Sequence, residues 1–145
     1  MKIRQSFEQA ICILLLISKS EGPLKSHDLS EKLHVSDSYL KKITRQLVVS
    51  GLITSKASKL GGFVLNKDPK DISFLDIFNA IEGKEHFIET THLVEKVFDV
   101  DAPVFAVEEY IVNYLNQAEE QYRRKLKEIT LDSVRQLVYQ GNFKK

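Results

Sequence analysis

Apolar residues first recur at helical spacing near the N-terminus, where Phe7, Ala10, Ile11, Leu14 and Leu15 mark a helix over residues 5–19. The run from Ile11 to Ile17 is almost continuously apolar, so this helix is expected to be covered on most sides, by its own domain and by a second copy. Cys12 lies inside the run and reads as a buried small hydrophobe. Glu21-Gly22-Pro23 closes the helix, because proline cannot continue one and glycine suits the exit.

The pattern then shortens. Ser26 is expected to cap a helix through Leu33, with Leu29 and Leu33 on one face and Asp28 and Glu31 suiting its positive end. His34-Val35 reads as a tight turn, and Ser36 as the cap of a second helix running to Gly51. Leu40, Ile43 and Leu47 form the apolar stripe of that helix, while Ser38, Lys41, Lys42 and Arg45 form a polar stripe at i, i+3, i+4 and i+7. A helix that reads DNA needs this division: one face holds the core, the other offers donors to phosphates and base edges.

Ile53-Thr54-Ser55 and Phe63-Val64-Leu65 read as short strands around a basic, glycine-bearing tip that contains Lys56, Lys59, Gly61 and Gly62. Helix, turn, helix and hairpin in this order predict a winged helix-turn-helix head. Ser26, Ser36, Ser38, Tyr39, Lys41, Lys42, Arg45, Lys56, Lys59, Gly61 and Gly62 are its candidate DNA-contacting residues.

Beyond the hairpin, Ser73 and Asp76 stand at capping-box spacing before a helix with Phe74, Ile77, Phe78 and Ile81 on its buried face. Residues 84–103 are irregular. Phe87, Ile88, Leu93, Val97 and Phe98 there are expected to pack on the body of the protein, a small effector pocket being the other use for them. From about Pro103 a long helix begins, roughly 36 Å if it runs to Lys127 at 1.5 Å per residue. Val104, Val107, Ile111, Tyr114, Ala118, Tyr122 and Leu126 advance along it by threes and fours, and Tyr110 and Leu115 widen the stripe. One small head cannot cover so long a stripe, so these residues are expected to form a homodimer interface, the rival being a helix folded back on its own domain. Thr130 should cap a last short helix with Leu131, Val134, Leu137 and Val138 on its apolar face.

The run Val35-Ser36-Asp37-Ser38-Tyr39-Leu40-Lys41-Lys42-Ile43, with Leu47, Gly51-Leu52-Ile53, Gly61-Gly62-Phe63-Val64-Leu65 and Asp71-Ile72-Ser73-Phe74-Leu75-Asp76-Ile77, resembles the Rrf-two family of bacterial transcription regulators. That family includes an iron–sulfur cluster regulator, a nitric-oxide-sensitive repressor and a cysteine-metabolism repressor. The resemblance implies a mainly α fold with a small β-hairpin wing and a long dimerisation helix. It also implies, in many members, a cluster held by three cysteines in the connection that is residues 84–103 here. This connection has no cysteine, and thiolates are what such clusters require, so no cofactor is expected. The family's early-wing Arg-Gly is replaced by Ala57-Ser58, and Lys41 stands where relatives often have an acidic or amide side chain. The base preference of the family therefore does not transfer.

Charge adds to this picture. Residues 1–67 carry eleven Lys/Arg against five Asp/Glu, and residues 68–145 carry ten against fifteen, although the formal net charge is only +1. A basic front half fits a nucleic-acid face. The single cysteine rules out an internal disulfide and fits a reducing cytoplasm. Ala10 to Ile17 is too short to span a bilayer and lacks a signal-peptide cleavage pattern. His86, Glu89, His92, Asp99 and Asp101 match no metal motif, so no metal site is expected. No nucleophile–base pair or phosphate-cradling loop points to an enzyme. The expected organisation is a DNA-binding head over 1–83, a connection over 84–103 that is a possible effector region, and a dimerisation region over 104–145. The expected function is a cluster-free repressor acting as a homodimer on an inverted repeat, with double-stranded DNA, itself, and a small-molecule or protein effector as partners. The competing reading is a winged-helix module that binds proteins or metabolites rather than DNA.

Overall fold

In the computed structural model, which describes residues 5–57, 61–98 and 102–140, the apolar run of the first helix becomes the centre of the larger of two units. Helix α1 (Gln5–Lys19) buries Phe7, Ala10, Ile13, Leu14 and Ile17. Phe7 meets the rings of Phe74 and Phe78 edge-on, with centroids 6.4 and 5.6 Å away. Cys12 corrects the reading of the run: it is exposed. At 100° per residue, position 12 falls about 200° round the helix from Ala10, opposite the face that the head covers.

Helices α2 (Ser26–Leu33) and α3 (Asp37–Val49) form the helix-turn-helix. Ser26 is not the cap; Lys25 holds that position in extended conformation, with no side-chain bond to the first turn. The cause lies one residue earlier. Leu24 exchanges both backbone hydrogen bonds with Phe63, at 3.1 and 2.8 Å, so the chain stays extended to Lys25 and turns helical at once. At the far end His34 takes the left-handed conformation (φ 56°) and lets the chain reverse. The buried Ser30 donates to a carboxylate oxygen of Asp37 at 2.6 Å, tying α2 to the start of α3. Ser36 does cap α3, its hydroxyl accepting from the Tyr39 amide at 3.2 Å.

The wing is the antiparallel pair β1 (Ile53–Ser55) and β2 (Phe63–Leu65), in the register Ile53↔Leu65, Thr54↔Val64, Ser55↔Phe63. Because β2 also pairs with Leu24, the hairpin is fastened to the segment before α2. A short 3-10 turn (Pro69–Asp71) leads to α4 (Phe74–Glu82), whose Ser73–Asp76 capping box forms as expected, and which buries Ile77, Phe78 and Ile81. The last helix, α7 (Leu131–Tyr139), belongs to this unit as well. Backbone bonds from Leu131 to Ile72 (2.8 Å) and from Phe74 to Ile129 (2.9 Å) pair its approach with that of α4. Leu131 is fully buried, and the Tyr139 hydroxyl donates to the Leu15 carbonyl at 3.0 Å. Leu137 and Val138, expected on the covered face, are exposed.

The second unit comprises residues 84–125: the connection, the short α5 (Leu93–Val97) and most of α6 (Ala102–Lys127). The apolar residues of the connection do not pack as expected. Ile88, Leu93, Val97 and Phe98 are exposed, and only Phe87 finds a ring partner, Tyr122, at 5.7 Å. Polar contacts hold the segment instead. Glu119, its side chain only 6% exposed, accepts from the Phe87 amide at 2.6 Å and from Arg123 at 3.1 Å, with His86 at 3.3 Å. Burial alone would raise this carboxyl, but the Phe87 amide, Arg123 and His86 outweigh it and hold it below the ordinary carboxylate range.

Two stability predictions follow from these contacts. At Gly62 (φ +100°) an added Cβ would lie 2.8 Å from the Pro23 Cβ and 2.9 Å from the Leu24 carbonyl oxygen, whereas at Gly51 (φ +82°) it would meet nothing. Gly62→Ala should therefore cost about 1–3 kcal/mol and Gly51→Ala about 1 kcal/mol, read from denaturant midpoints. Glu119→Gln should destabilise the protein by about 1–3 kcal/mol at neutral pH. A carboxyl whose folded pKa is depressed contributes fully above its unfolded value, about 4.3, and loses that contribution as pH falls through the folded value. The gap between wild type and Glu119→Gln should therefore close in acid, and a gap that persists unchanged would contradict the assignment.

Candidate nucleic-acid interface

Helix α3 divides as its sequence requires. Leu40, Ile43, Thr44 and Leu47 are buried, and the burial of each large aliphatic side chain is worth about 1.5–3 kcal/mol. Thr44 is polar, but its hydroxyl donates back to the Leu40 carbonyl at 3.1 Å, so it enters the core satisfied. The opposite face carries Ser38, Lys41, Lys42 and Arg45, all exposed, with Tyr39 beside them at 37% exposure. Neither lysine nor Arg45 forms an ion pair with another described residue. Thirteen residues give α3 a length of about 20 Å, and a major groove about 12 Å wide admits such a helix.

The other predicted residues of the head fall into three groups. Ser36 is committed to the α3 cap and lies 3.3 Å from the Ser38 hydroxyl, so both mark the amino end of the helix. Ser26 is half-buried in the first turn of α2 and is not part of the exposed basic row. On the wing, Lys56 is exposed while its amide donates to the Gly62 carbonyl at 2.8 Å. Gly61 and Gly62 both have positive φ, and at Gly62 the hairpin lies so near Pro23 and Leu24 that an added Cβ would meet them. Lys59 lies outside the described residues.

In the second unit the predicted dimer stripe is split. Val104 is buried, and Tyr122 is half-buried against Phe87. Val107, Ile111, Tyr114, Leu115 and Ala118 are exposed, and Leu126, just past the unit boundary, is half-buried. Tyr110 is exposed as well, stacked on Tyr114 at 6.2 Å, and Phe105, which the spacing by threes and fours passes over, joins the exposed row. Among the described residues no helix is long and apolar enough to cross a membrane.

Two helices joined by a left-handed turn, an outward basic face on the second, and a hairpin fastened beside them define a winged helix-turn-helix protein. Residues 3–136 match the Rrf2 family, described as an iron-dependent transcriptional regulator, and the chain belongs to that family. It is 40% identical over 101 residues (68% of this chain, 65% of the relative) to YwgB of Bacillus subtilis, named provisionally as an HTH-type transcriptional regulator. It is 41% identical over 97 residues (66% and 62%) to YffB of Lactococcus lactis, named in the same way. The chain thus spans a little under two thirds of the length of these curated relatives. Among solved structures it is similar to CymR (YrzC), described as the global cysteine regulator of B. subtilis, with a TM-score of 0.65 and 24% identity over 94% of this chain and 98% of that one. T. potens IscR gives a TM-score of 0.67 and 21% identity over 100% and 93%. At these identities the two structures establish the fold. The family and its named relatives are transcriptional regulators, not enzymes.

The iron in the family's description raises the question of what this chain offers a metal. An iron–sulfur cluster is held by several thiolates. The sequence has one cysteine, Cys12 on α1, and none in residues 84–125, so the residues present do not fit such a cluster.

Proposed function

We propose that this protein is a DNA-binding transcription regulator that acts as a homodimer on an inverted repeat, represses by occupying its site, and works in the cytoplasm without an iron–sulfur cluster. The observation that carries the reading is the exposed row Lys41, Lys42 and Arg45 on a helix whose other face is anchored in the core. Such a row places cations at a phosphate backbone and long donors at base edges without any rearrangement of the head. Lys56 adds charge on the wing. Residues 1–83 are the DNA-binding part, residues 84–103 the connection with an effector role, and residues 104–127 the dimer contact.

The exposed row Phe105, Val107, Tyr110, Ile111, Tyr114 and Leu115 supports dimerisation, because a second copy covers it and closes the assembly by two-fold symmetry. Two heads would then read half-sites about 34 Å apart, one helical turn of DNA. Bound protein excludes other factors from the same stretch, which is the physical basis of repression by occupancy.

Two measurements test this reading. Lys42→Ala with Arg45→Ala should weaken binding to a selected duplex by at least tenfold in about 100 mM salt and reduce the slope of log affinity against log salt by up to about 4, two contacts being lost from each of two heads. Dimer mass should be unchanged; loss of both properties would indicate misfolding, and salt-insensitive binding in the wild type would favour a protein-binding module. Ile111→Glu should leave monomers in analytical ultracentrifugation with the circular dichroism of the wild type, and a dimer that persists would move the interface elsewhere.

A further inference from the structure

We propose that His92, Glu95 and Glu108 form a binding site for one divalent first-row transition cation, bound through imidazole nitrogen and carboxylate oxygen. The three residues come from the end of the connection, from α5 and from α6, yet one ligand atom of each lies within 4.8 Å of the other two. Metal–donor bonds of about 2.1 Å place neighbouring donors roughly 3.0–3.4 Å apart around an ion, so rotamer adjustments of about an ångström close the site. One edge already has that spacing: His92 Nδ1 is 3.0 Å from Glu108 Oε2.

The supporting contacts aim the donors. The Thr90 hydroxyl donates to Glu108 Oε1 at 3.2 Å and itself accepts from the His92 amide at 3.1 Å, which leaves Oε2 facing the imidazole. A ligating carboxylate fixed through its second oxygen is the outer-shell arrangement that raises metal affinity. The Glu108 side chain is only 12% exposed, so its charge has lost most of its water and gains from a cation placed beside it. A thiolate-free set of one imidazole and two carboxylates suits Mn2+, Fe2+, Co2+ or Zn2+, with water completing the coordination, and the imidazole disfavours Mg2+.

The sequence hid this site because its spacing, three residues and then thirteen, matches no motif; Glu108 reads there as one more acid on a long helix. A bound ion would clip α5 and the connection to α6 within one unit. The inference does not rest on DNA binding, and it is read by a different measurement.

Isothermal titration of the chelator-treated full chain with CoCl2, ZnCl2 and MnCl2, and with MgCl2 as control, tests the proposal. One saturable site per chain is expected for the transition metals, with cobalt d–d absorption in the visible and a rise in melting temperature on saturation. His92→Ala and Glu95→Gln should each weaken cobalt binding by at least about tenfold, with far-UV circular dichroism unchanged, and His86→Ala should not. Glu95→Gln is the milder change and guards against misfolding. Absence of saturable uptake, a stoichiometry of one ion per two chains, or equal affinity in wild type and both variants would overturn the proposal.

Discussion

Everything in the head depends on a single helix satisfying opposite demands on its two sides. α3 can present three cations to solvent only because Leu40, Ile43 and Leu47 seal its other side to the core. Neither side suffices alone. A basic helix without that anchor would not hold an orientation, and an apolar helix without the basic row would have nothing for a phosphate. The intermediate position, Thr44, shows how tightly the division is drawn: it is buried, and its hydroxyl is returned to the helix's own backbone. The two helices are set against each other by equally local means. Ser30 reaches from α2 to Asp37 at the start of α3, and His34 accepts the left-handed conformation needed for so short a turn.

The wing shows why glycine is found where it is. Its tip reads in sequence as a place where backbone comes close to another polymer. The nearest backbone is the protein's own, since Gly62 sits against Pro23 and Leu24 where no Cβ fits. That close approach lets β2 pair with Leu24, and the same pairing keeps Lys25 extended, so that Lys25 rather than Ser26 holds the cap position and α2 begins at Ser26. One intrachain constraint therefore sets the hairpin's position and the helix start together. A side chain at residue 62 would disturb both.

How much of this was legible beforehand follows from what each signal measures. Periodicity and capping chemistry are local: α1 at 5–19, the strands at 53–55 and 63–65, the Ser36 and Ser73 caps and the long helix all lie where spacing puts them, whereas the expected Ser26 cap gives way to the long-range pairing of Leu24 with Phe63. Apolar composition was a poorer guide, because it says that a residue prefers cover without saying what covers it. Cys12 sits on the uncovered side of α1, and the connection's Leu93, Val97 and Phe98 face solvent within this chain. Least legible were the polar clusters. Glu119 gathers an amide, a guanidinium and an imidazole from residues more than thirty positions away or one helical turn along, and nothing at its own place in the sequence announces that.

The two units differ in what holds them, and the difference bears on regulation. The head is closed by aliphatic and aromatic packing around α1, a type of contact that is indifferent to pH and ions. The connection over 84–98 fully buries no large apolar side chain; it is held by the Phe87 ring against Tyr122 and Arg123 and by charged hydrogen bonds, Glu119 to Phe87, Arg123 and His86, and Glu108 to Thr90 and His92. Segments with few buried apolar contacts occupy the low end of local stability. The contribution of Glu119 to the connection moves with its protonation, because the folded structure holds its carboxyl below the ordinary range. Charged contacts thus carry most of the hold on the stretch beside the long helix, whereas in the head a contact such as Ser30 to Asp37 supplements a packed apolar core.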